Sequence, residues 1–152
     1  MLFIPDIRLA VTQDARSIAE LSRDAIEQGL PWSWTPKRVR DAIRDPAINV
    51  VVAQWRDAIA GFGIMQYADD SAHLALLAVH PLQRHRGLGA RMVRWLEASA
   101  RIAGIRQIRL EARADNRSAI AFYRSLQFVP LGQVAAYYQP GIDAVQLEKK
   151  LT

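Results

Sequence analysis

The stretch LAVHPLQRHRGLGA, Leu77 to Ala90, joins an apolar run to a basic, glycine-bearing turn and then to a helical pattern. Leu77-Ala78-Val79 closes a run of small and aliphatic residues of the kind that fills a buried strand. Pro81 and Gly87 bracket the turn, after which Leu88, Met92, Trp95 and Ile102 recur at spacings that predict one apolar helix face, ended by Gly104. Arg91, Arg94, Glu97 and Arg101 are expected on the wetter face. Gly87 and Gly89 let the backbone approach a bulky anion without a Cβ in the way, while first-turn N–H groups and the positive end of the helix dipole attract negative charge. Arg84 and Arg86 add formal charge beside them. A pyrophosphate is the expected guest. A P-loop would require G-x-x-x-x-G-K-[ST], and a dinucleotide fingerprint would require glycine where Met92 stands.

Outward from this turn, the pattern supports one domain over residues 1–152. Ile7, Leu9 and Val11 alternate as in a short strand, and Thr12 or Asp14 can cap a helix carrying Ile18, Leu21 and Ala25, with Gly29 beyond its end. An aromatic loop, Pro31-Trp32-Ser33-Trp34, precedes Thr35-Pro36, an N-cap followed by proline at the first helical position. Three strand-like segments follow, 49–55, 59–67 and 72–79, separated by hairpin-length turns. After the helix that begins near Leu88 come a strand at 107–113, a helix at 117–126, and two strands near 132–138 and 143–151. The order β-α-α-β-β-β-α-β-α-β-β defines an α/β domain with a mixed sheet, antiparallel early and crossing over through helices later.

Composition narrows the chemistry. The net charge of +5 favours an anionic partner, which nucleic acid, an acidic protein surface or a phosphate-rich cofactor would satisfy. No helix-turn-helix, RNP or finger motif supports nucleic acid. With no cysteine, acyl transfer through a cysteinyl intermediate and Cys-based zinc sites are excluded. His73, His80 and His85 offer a possible base but show no metal-ligand spacing, so no metal is expected; His73, on one strand face with Leu77, and His85, a cation available to the turn, read as structural groups. The apolar runs are far shorter than the ~20 residues that span a bilayer, and the N-terminus has no signal-peptide pattern, so a cytoplasmic setting without membrane contact is expected.

Arg84-x-x-Gly87-x-Gly89, preceded by Val79-His80-Pro81, resembles the acetyl-coenzyme A signature Q/R-x-x-G-x-G/A of the GNAT (Gcn5-related) N-acetyltransferase superfamily, and the element order is the one that family uses. A GNAT-like acyl-CoA N-acyltransferase fold is what the resemblance implies. It also implies that the backbone of Leu77, Ala78 and Val79 pairs with the pantetheine arm of acetyl-CoA. Arg84, His85, Arg86, Gly87, Leu88, Gly89 and Ala90 would hold the pyrophosphate.

Leu110 to Phe128 carries L-E-x-R-x-x-N-x-x-A-x-x-x-Y-x-x-x-Q-F. It resembles the bacterial branch that acetylates N-terminal alanines of ribosomal proteins, with Gln127 where that branch has glycine. The resemblance assigns Glu111 as general base, directly or through water, and Tyr123 as general acid, with Asn116 and Tyr123 touching the cofactor. Trp32, Trp34, Tyr137 and Tyr138 would line the acceptor cleft. From residue type alone Glu111 equally suits a solvated strand position, Asn116 a helix N-cap, and Tyr123 a core aromatic beside Phe122. The expected acceptor is a protein or peptide N-terminal amine. A small-molecule amine, a non-catalytic acyl-CoA-binding role or a nucleic-acid-binding regulator stand as alternatives, and a homodimer is left open.

Overall fold

A computed structural model describes residues 3–151. Its elements are β1 (Asp6–Leu9), α1 (Ala15–Ala25), α2 (Pro36–Arg44), β2 (Ile48–Trp55), β3 (Ala58–Ala68), β4 (Ser71–Val79), α3 (Leu88–Ile102), β5 (Gln107–Arg113), α4 (Arg117–Ser125), β6 (Val129–Gln139) and β7 (Ile142–Lys150). The order is the expected one. Short 3-10 turns precede α1 and follow β4, at Thr12–Asp14 and Pro81–Gln83.

The local signals act largely as read. Thr35 caps α2 by accepting from the Arg38 N–H at 3.3 Å, with Pro36 behind it. Asp14 works differently from a simple cap. Its carboxylate accepts from the Val11 N–H at 2.8 Å and ion-pairs Arg8 at 2.8 Å, fixing the turn out of β1. Gln127, at the position of the expected glycine, adopts φ 75°, a left-handed backbone that a side chain strains.

The seven strands form one sheet in the order β1-β2-β3-β4-β5-β7-β6, and β4/β5 is its parallel pair. Apolar side chains cover both faces of the first half. Val51, Met65, Ala72 and Leu74 meet Val93, Leu96 and Ala100 of α3, joined by Ile108 and Leu110 of β5 and by the inner side of α4. Val50, Val52, Phe62 and Ile64 meet Ile18 and Ala19 of α1 and Val39 of α2 on the other face.

Two readings of α3 are corrected. Ile102 is 89% exposed, because the helix's buried stripe runs through Leu88, Met92, Val93, Leu96 and Ala100 and has turned away by its last residue. Glu97 belongs to that inner side. It is buried and held by Lys149 at 2.9 Å, with Arg101 at 3.7 Å.

The decisive irregularity is in β4. Leu76 pairs with Ile64 and Leu74 with the next residue, Met65, so Ala75 is an extra residue, a β-bulge. A one-residue bulge exchanges the faces of the strand beyond it. Ala72 and Leu74 accordingly pack on the α3 side, whereas Leu76 and Ala78 pack on the α1/α2 side. Parallel pairing with β5 covers only Ser71, Ala72 and His73 against Gln107, Ile108 and Arg109. Past His73 the two strands part, while β5 stays paired to β7 as far as Arg113. The sheet is split by a V-shaped opening between β4 and β5.

Close packing across β3 sets a test. A Cβ on Gly61 would lie 2.8 Å from Met92 Cε and 2.9 Å from the backbone oxygen of Ala78, whereas one on Gly132 would meet nothing within 4 Å. Gly61→Ala is expected to destabilise by about 1–3 kcal/mol in denaturant unfolding, since the Ala78 carbonyl cannot move without disturbing β4. Gly132→Ala serves as the near-neutral control.

Candidate active site

The glycine turn lies at the open end of the split. Gly87 caps α3 with φ 78°, and its Cβ position is open space. The first α3 backbone bond runs from the Arg91 N–H to the Gly87 carbonyl at 3.1 Å, so the N–H groups of Leu88, Gly89 and Ala90 have no acceptor within the helix. Packing at Gly89 is close as well, since a Cβ there would sit 3.1 Å from the Phe122 ring of α4 and the ring would have to give by a few tenths of an ångström. His85 shares the left-handed backbone at φ 64° without being glycine, a strained state held by the loop. Arg84, His85 and Arg86 are exposed. Arg84 Nε donates to the Val79 carbonyl at 3.2 Å, and the Arg86 guanidinium lies 4.9 Å from the Phe3 ring centroid. One residue upstream of Arg84, the buried Gln83 Oε1 has no hydrogen-bond partner among the described residues. The arrangement suits a phosphate-bearing, amide-containing ligand. It offers free helix N–H groups, flanking cations, room at Gly87, and β4 backbone groups beyond His73 with no β5 partner.

Farther into the split, Glu111 is joined from three sides. His73 Nε2 lies 2.5 Å from Glu111 Oε1, the Tyr137 hydroxyl donates to Oε1 at 3.0 Å, and Gln146 Nε2 donates to Oε2 at 3.3 Å. Burial alone would raise the Glu111 carboxyl, but His73, through its hydrogen bond and, when the ring is protonated, its charge, and the donors Tyr137 and Gln146 hold it below the usual carboxylate range. It is therefore ionised at neutral pH.

Alternation along β5 puts Ile108, Leu110 and Ala112 toward α3, so Arg109, Glu111 and Arg113 face the opposite side. Sequence reasoning placed His73 on one strand face with Leu77. The Ala75 bulge separates them: Leu77 packs toward Leu88 and Met92 of α3, and His73 shares the Glu111 side. The preferred reading of His73 as a structural group thus gives way to direct contact with the candidate base. Only a bulge, which leaves no reliable mark in the sequence, reveals this.

Tyr123 stands on the α3 side, in edge-to-face contact with Phe122 at 5.0 Å and Phe128 at 5.7 Å between ring centroids. Its hydroxyl has no hydrogen-bond partner among the described residues. Burial, and then nearby Tyr138, pushes its phenol up, so it keeps its proton throughout the physiological range. Tyr137 and Tyr138 stack edge-to-face at 4.9 Å. Burial first, then the charge of a neighbour, pushes each up to about 12. They occupy a second irregular stretch, where pairing of β6 with β7 jumps from Val134 to Gln139, Ala136 takes φ 52°, and the Ala136 N–H donates to Asp143 Oδ1 at 2.9 Å. Asn116 caps α4, its Oδ1 accepting from the Ala119 N–H at 3.1 Å and the Ser118 hydroxyl at 3.2 Å, which leaves its NH2 group as donor.

The aromatic loop is divided. Trp34 is 8% exposed, packed with α1 and α2 beneath the Arg38 guanidinium at 3.8 Å, so its place is in the core and not on a cleft surface. Trp32 is the open ring, its Nε1 donating to the Ala19 carbonyl at 3.2 Å. Composition alone could not separate the two. The organiser is Glu27, which sequence reasoning missed. Buried Oε1 accepts from the Ser33 N–H and hydroxyl, both at 2.7 Å, and from the Trp34 N–H at 3.2 Å, while Oε2 accepts from the Ser22 hydroxyl at 2.9 Å.

This architecture has named counterparts. The chain belongs to the acetyltransferase (GNAT) family, whose model matches residues 15–128. N-alpha-acetyltransferase RimI of Mycobacterium tuberculosis is 30% identical over 141 residues, which is 90% of this chain and 86% of that protein. The ribosomal protein bS18-alanine N-acetyltransferase of Salmonella typhimurium is 40% identical over 72 residues, 47% of this chain, and the match spans only 49% of that enzyme. The crystal structure of the ribosomal-protein-S18-alanine N-acetyltransferase from Escherichia coli superposes with a TM-score of 0.85 at 26% identity, over 98% of this chain and 95% of that one.

Glu27 gives the loop a pH dependence of definite sign. Burial would raise its carboxyl, but hydrogen bonds from Ser33, Ser22 and Trp34 hold it below the usual range. A carboxyl depressed in the folded state stabilises above the ordinary glutamate value of about 4.3, and that stability fades as pH falls through the depressed value. Acid titration is expected to loosen the loop below about pH 4, read as a change in tryptophan fluorescence. Glu27→Gln is expected to show the loosened signal at neutral pH with no such acid step.

Proposed function

We propose that the chain is an N-acetyltransferase that moves the acetyl group of acetyl-CoA directly to a primary amine, the N-terminal amine of a protein or peptide. The observation that carries this is the split between β4 and β5, with an ionised Glu111 on one face of the sheet and a protonated Tyr123 on the other. A thioester lying in the split would meet its nucleophile from the Glu111 side and release its sulfur toward Tyr123. Leu77, Ala78 and Val79 would pair with the pantetheine, and Arg84 to Ala90 would hold the pyrophosphate through the free N–H groups of α3. Asn116 would use its remaining NH2 donor on the coenzyme. In the reaction the C–N bond forms and the C–S bond breaks. The acceptor ammonium loses two protons overall, one before attack with the Glu111 centre as base and one afterwards. Tyr123 gives its proton to the departing thiolate and is reprotonated in turn, so one proton is released per turnover.

Support for a peptide acceptor comes from the named activities of the relatives, and exposed Trp32 with the Tyr137–Tyr138 pair would line the acceptor cleft. A cytoplasmic setting fits the absence of cysteine. No helix among the described residues is long and apolar enough to cross a membrane.

Incubation with acetyl-CoA and a panel of peptides and small amines, read by mass spectrometry, is expected to place the acetyl group on peptide α-amines. Transfer to small amines alone would overturn the peptide assignment. Tyr123→Phe is expected to lower kcat by about 10² to 10⁴ with little change in KM, and an unchanged kcat at saturating substrates would reject its role as the acid.

A further inference from the structure

The geometry points to His73, acting with Glu111, as the group that takes the proton from the acceptor amine: Nε2 is fixed against the Glu111 carboxylate and Nδ1 is the basic atom. This rests on the acetyl-transfer reading above and refines which atom of its basic centre meets the substrate.

Three features of the Glu111 surroundings lead there. The Glu111 carboxylate is already engaged by three donors, taking His73 and Tyr137 on Oε1 and Gln146 on Oε2. Since an ionised carboxylate only accepts, the 2.5 Å contact makes His73 Nε2 the donor, which in a neutral imidazole leaves the lone pair on Nδ1. Among the described residues Nδ1 has no partner. Finally, the His73 side chain is 38% exposed where that of Glu111 is 9% exposed, so the ring and not the carboxylate faces an incoming amine. His73 is also the last β4 residue paired to β5, at the apex of the split where a thioester in the opening would end.

The other charged and titratable groups around His73 leave it this role. Its register partner on β5, Arg109, is engaged by Glu148 of β7 at 2.6 Å. Lys150 of β7 also turns to Glu148, at 3.8 Å. Tyr137 of β6 is a proton donor to Glu111, and on β3 the partner is the uncharged Gln66. In the step itself, an N–H bond of the acceptor ammonium breaks and its proton bonds to Nδ1. The electron pair stays on nitrogen and then forms the C–N bond. The resulting imidazolium keeps its Nε2–H on Glu111 and loses the Nδ1 proton to solvent. Glu111 is thereby a positioning residue that fixes the tautomer and stabilises the charged ring.

The discriminating variant is His73→Gln, whose amide can still donate to Glu111 but has no basic nitrogen. With melting temperature and KM for acetyl-CoA unchanged, kcat is expected to fall about 10²-fold or more, and the acidic limb of the kcat/KM profile to disappear. Glu111→Gln is expected to lose less and to keep that limb. A wild-type rate and limb in His73→Gln, or loss of the limb in Glu111→Gln alone, overturns the assignment. Nitrogen-15 NMR of the neutral ring provides a reading without turnover. A proton on Nε2 supports the arrangement, and a proton on Nδ1 overturns it. The profiles are taken with whichever amine the wild-type chain acetylates, so an acceptor other than a peptide refutes the peptide reading while the His73 result stands. Coenzyme binding with no transfer to any amine refutes acetyl transfer itself.

Discussion

One inserted residue in β4 governs the architecture of the site. Ala75 has no partner of its own on β3, and its insertion bends the strand and exchanges its faces. Had β4 paired regularly through Ala75, Leu76 and Ala78 would have continued the α3-facing stripe of Ala72 and Leu74. The parallel ladder with β5 ends just before it, at His73, and a slot opens in the middle of the sheet. The slot leaves backbone donors and acceptors free, which a peptide-like ligand can satisfy at little entropic expense because the strands are already rigid.

The two ends of that slot are built by different means. At its mouth the groups are mostly backbone: a left-handed Gly87, three unpaired N–H groups of α3, and a helix dipole behind them. Exposed arginines supplement these without having to be placed accurately. At its apex the groups are side chains held by other side chains. Glu111 is positioned by His73, Tyr137 and Gln146, each from a different strand, so the basic centre exists only when β4, β5, β6 and β7 are assembled. The second irregular stretch, in β6, turns Tyr137 onto Glu111 and leaves Tyr138 near Tyr123. The candidate base and acid are thus set on opposite faces of the sheet, with Tyr137 hydrogen-bonded to the one and Tyr138 near the other.

Legibility follows from this difference. The glycine turn could be read in the sequence because the chemistry proposed for it is local: Gly87, Gly89 and the arginines lie within seven residues of chain. The caps at Thr35 and Asn116 were legible for the same reason. Trp32 and Trp34 were not separable, since their fates depend on where α1 and α2 press and on Glu27, five residues before the first of them. Ile102 and Glu97 were misplaced because a helix stripe drifts over fifteen residues, and the inward turn of Glu97 requires Lys149, supplied by the last strand.

By itself the sequence determined the order of elements, a candidate anion-binding turn and the absence of cysteine chemistry, because composition, periodicity and spacing act over one or two turns of chain; the candidate acid and base came from its resemblance to a known family. Only the tertiary structure decided that Glu111 is ionised and held by three donors, that His73 stands beside it, and that Tyr123 lies on the opposite side of the sheet. Those facts rest on strand register, and a bulge of one alanine changes register without changing the pattern of residues that a reader of the sequence can see.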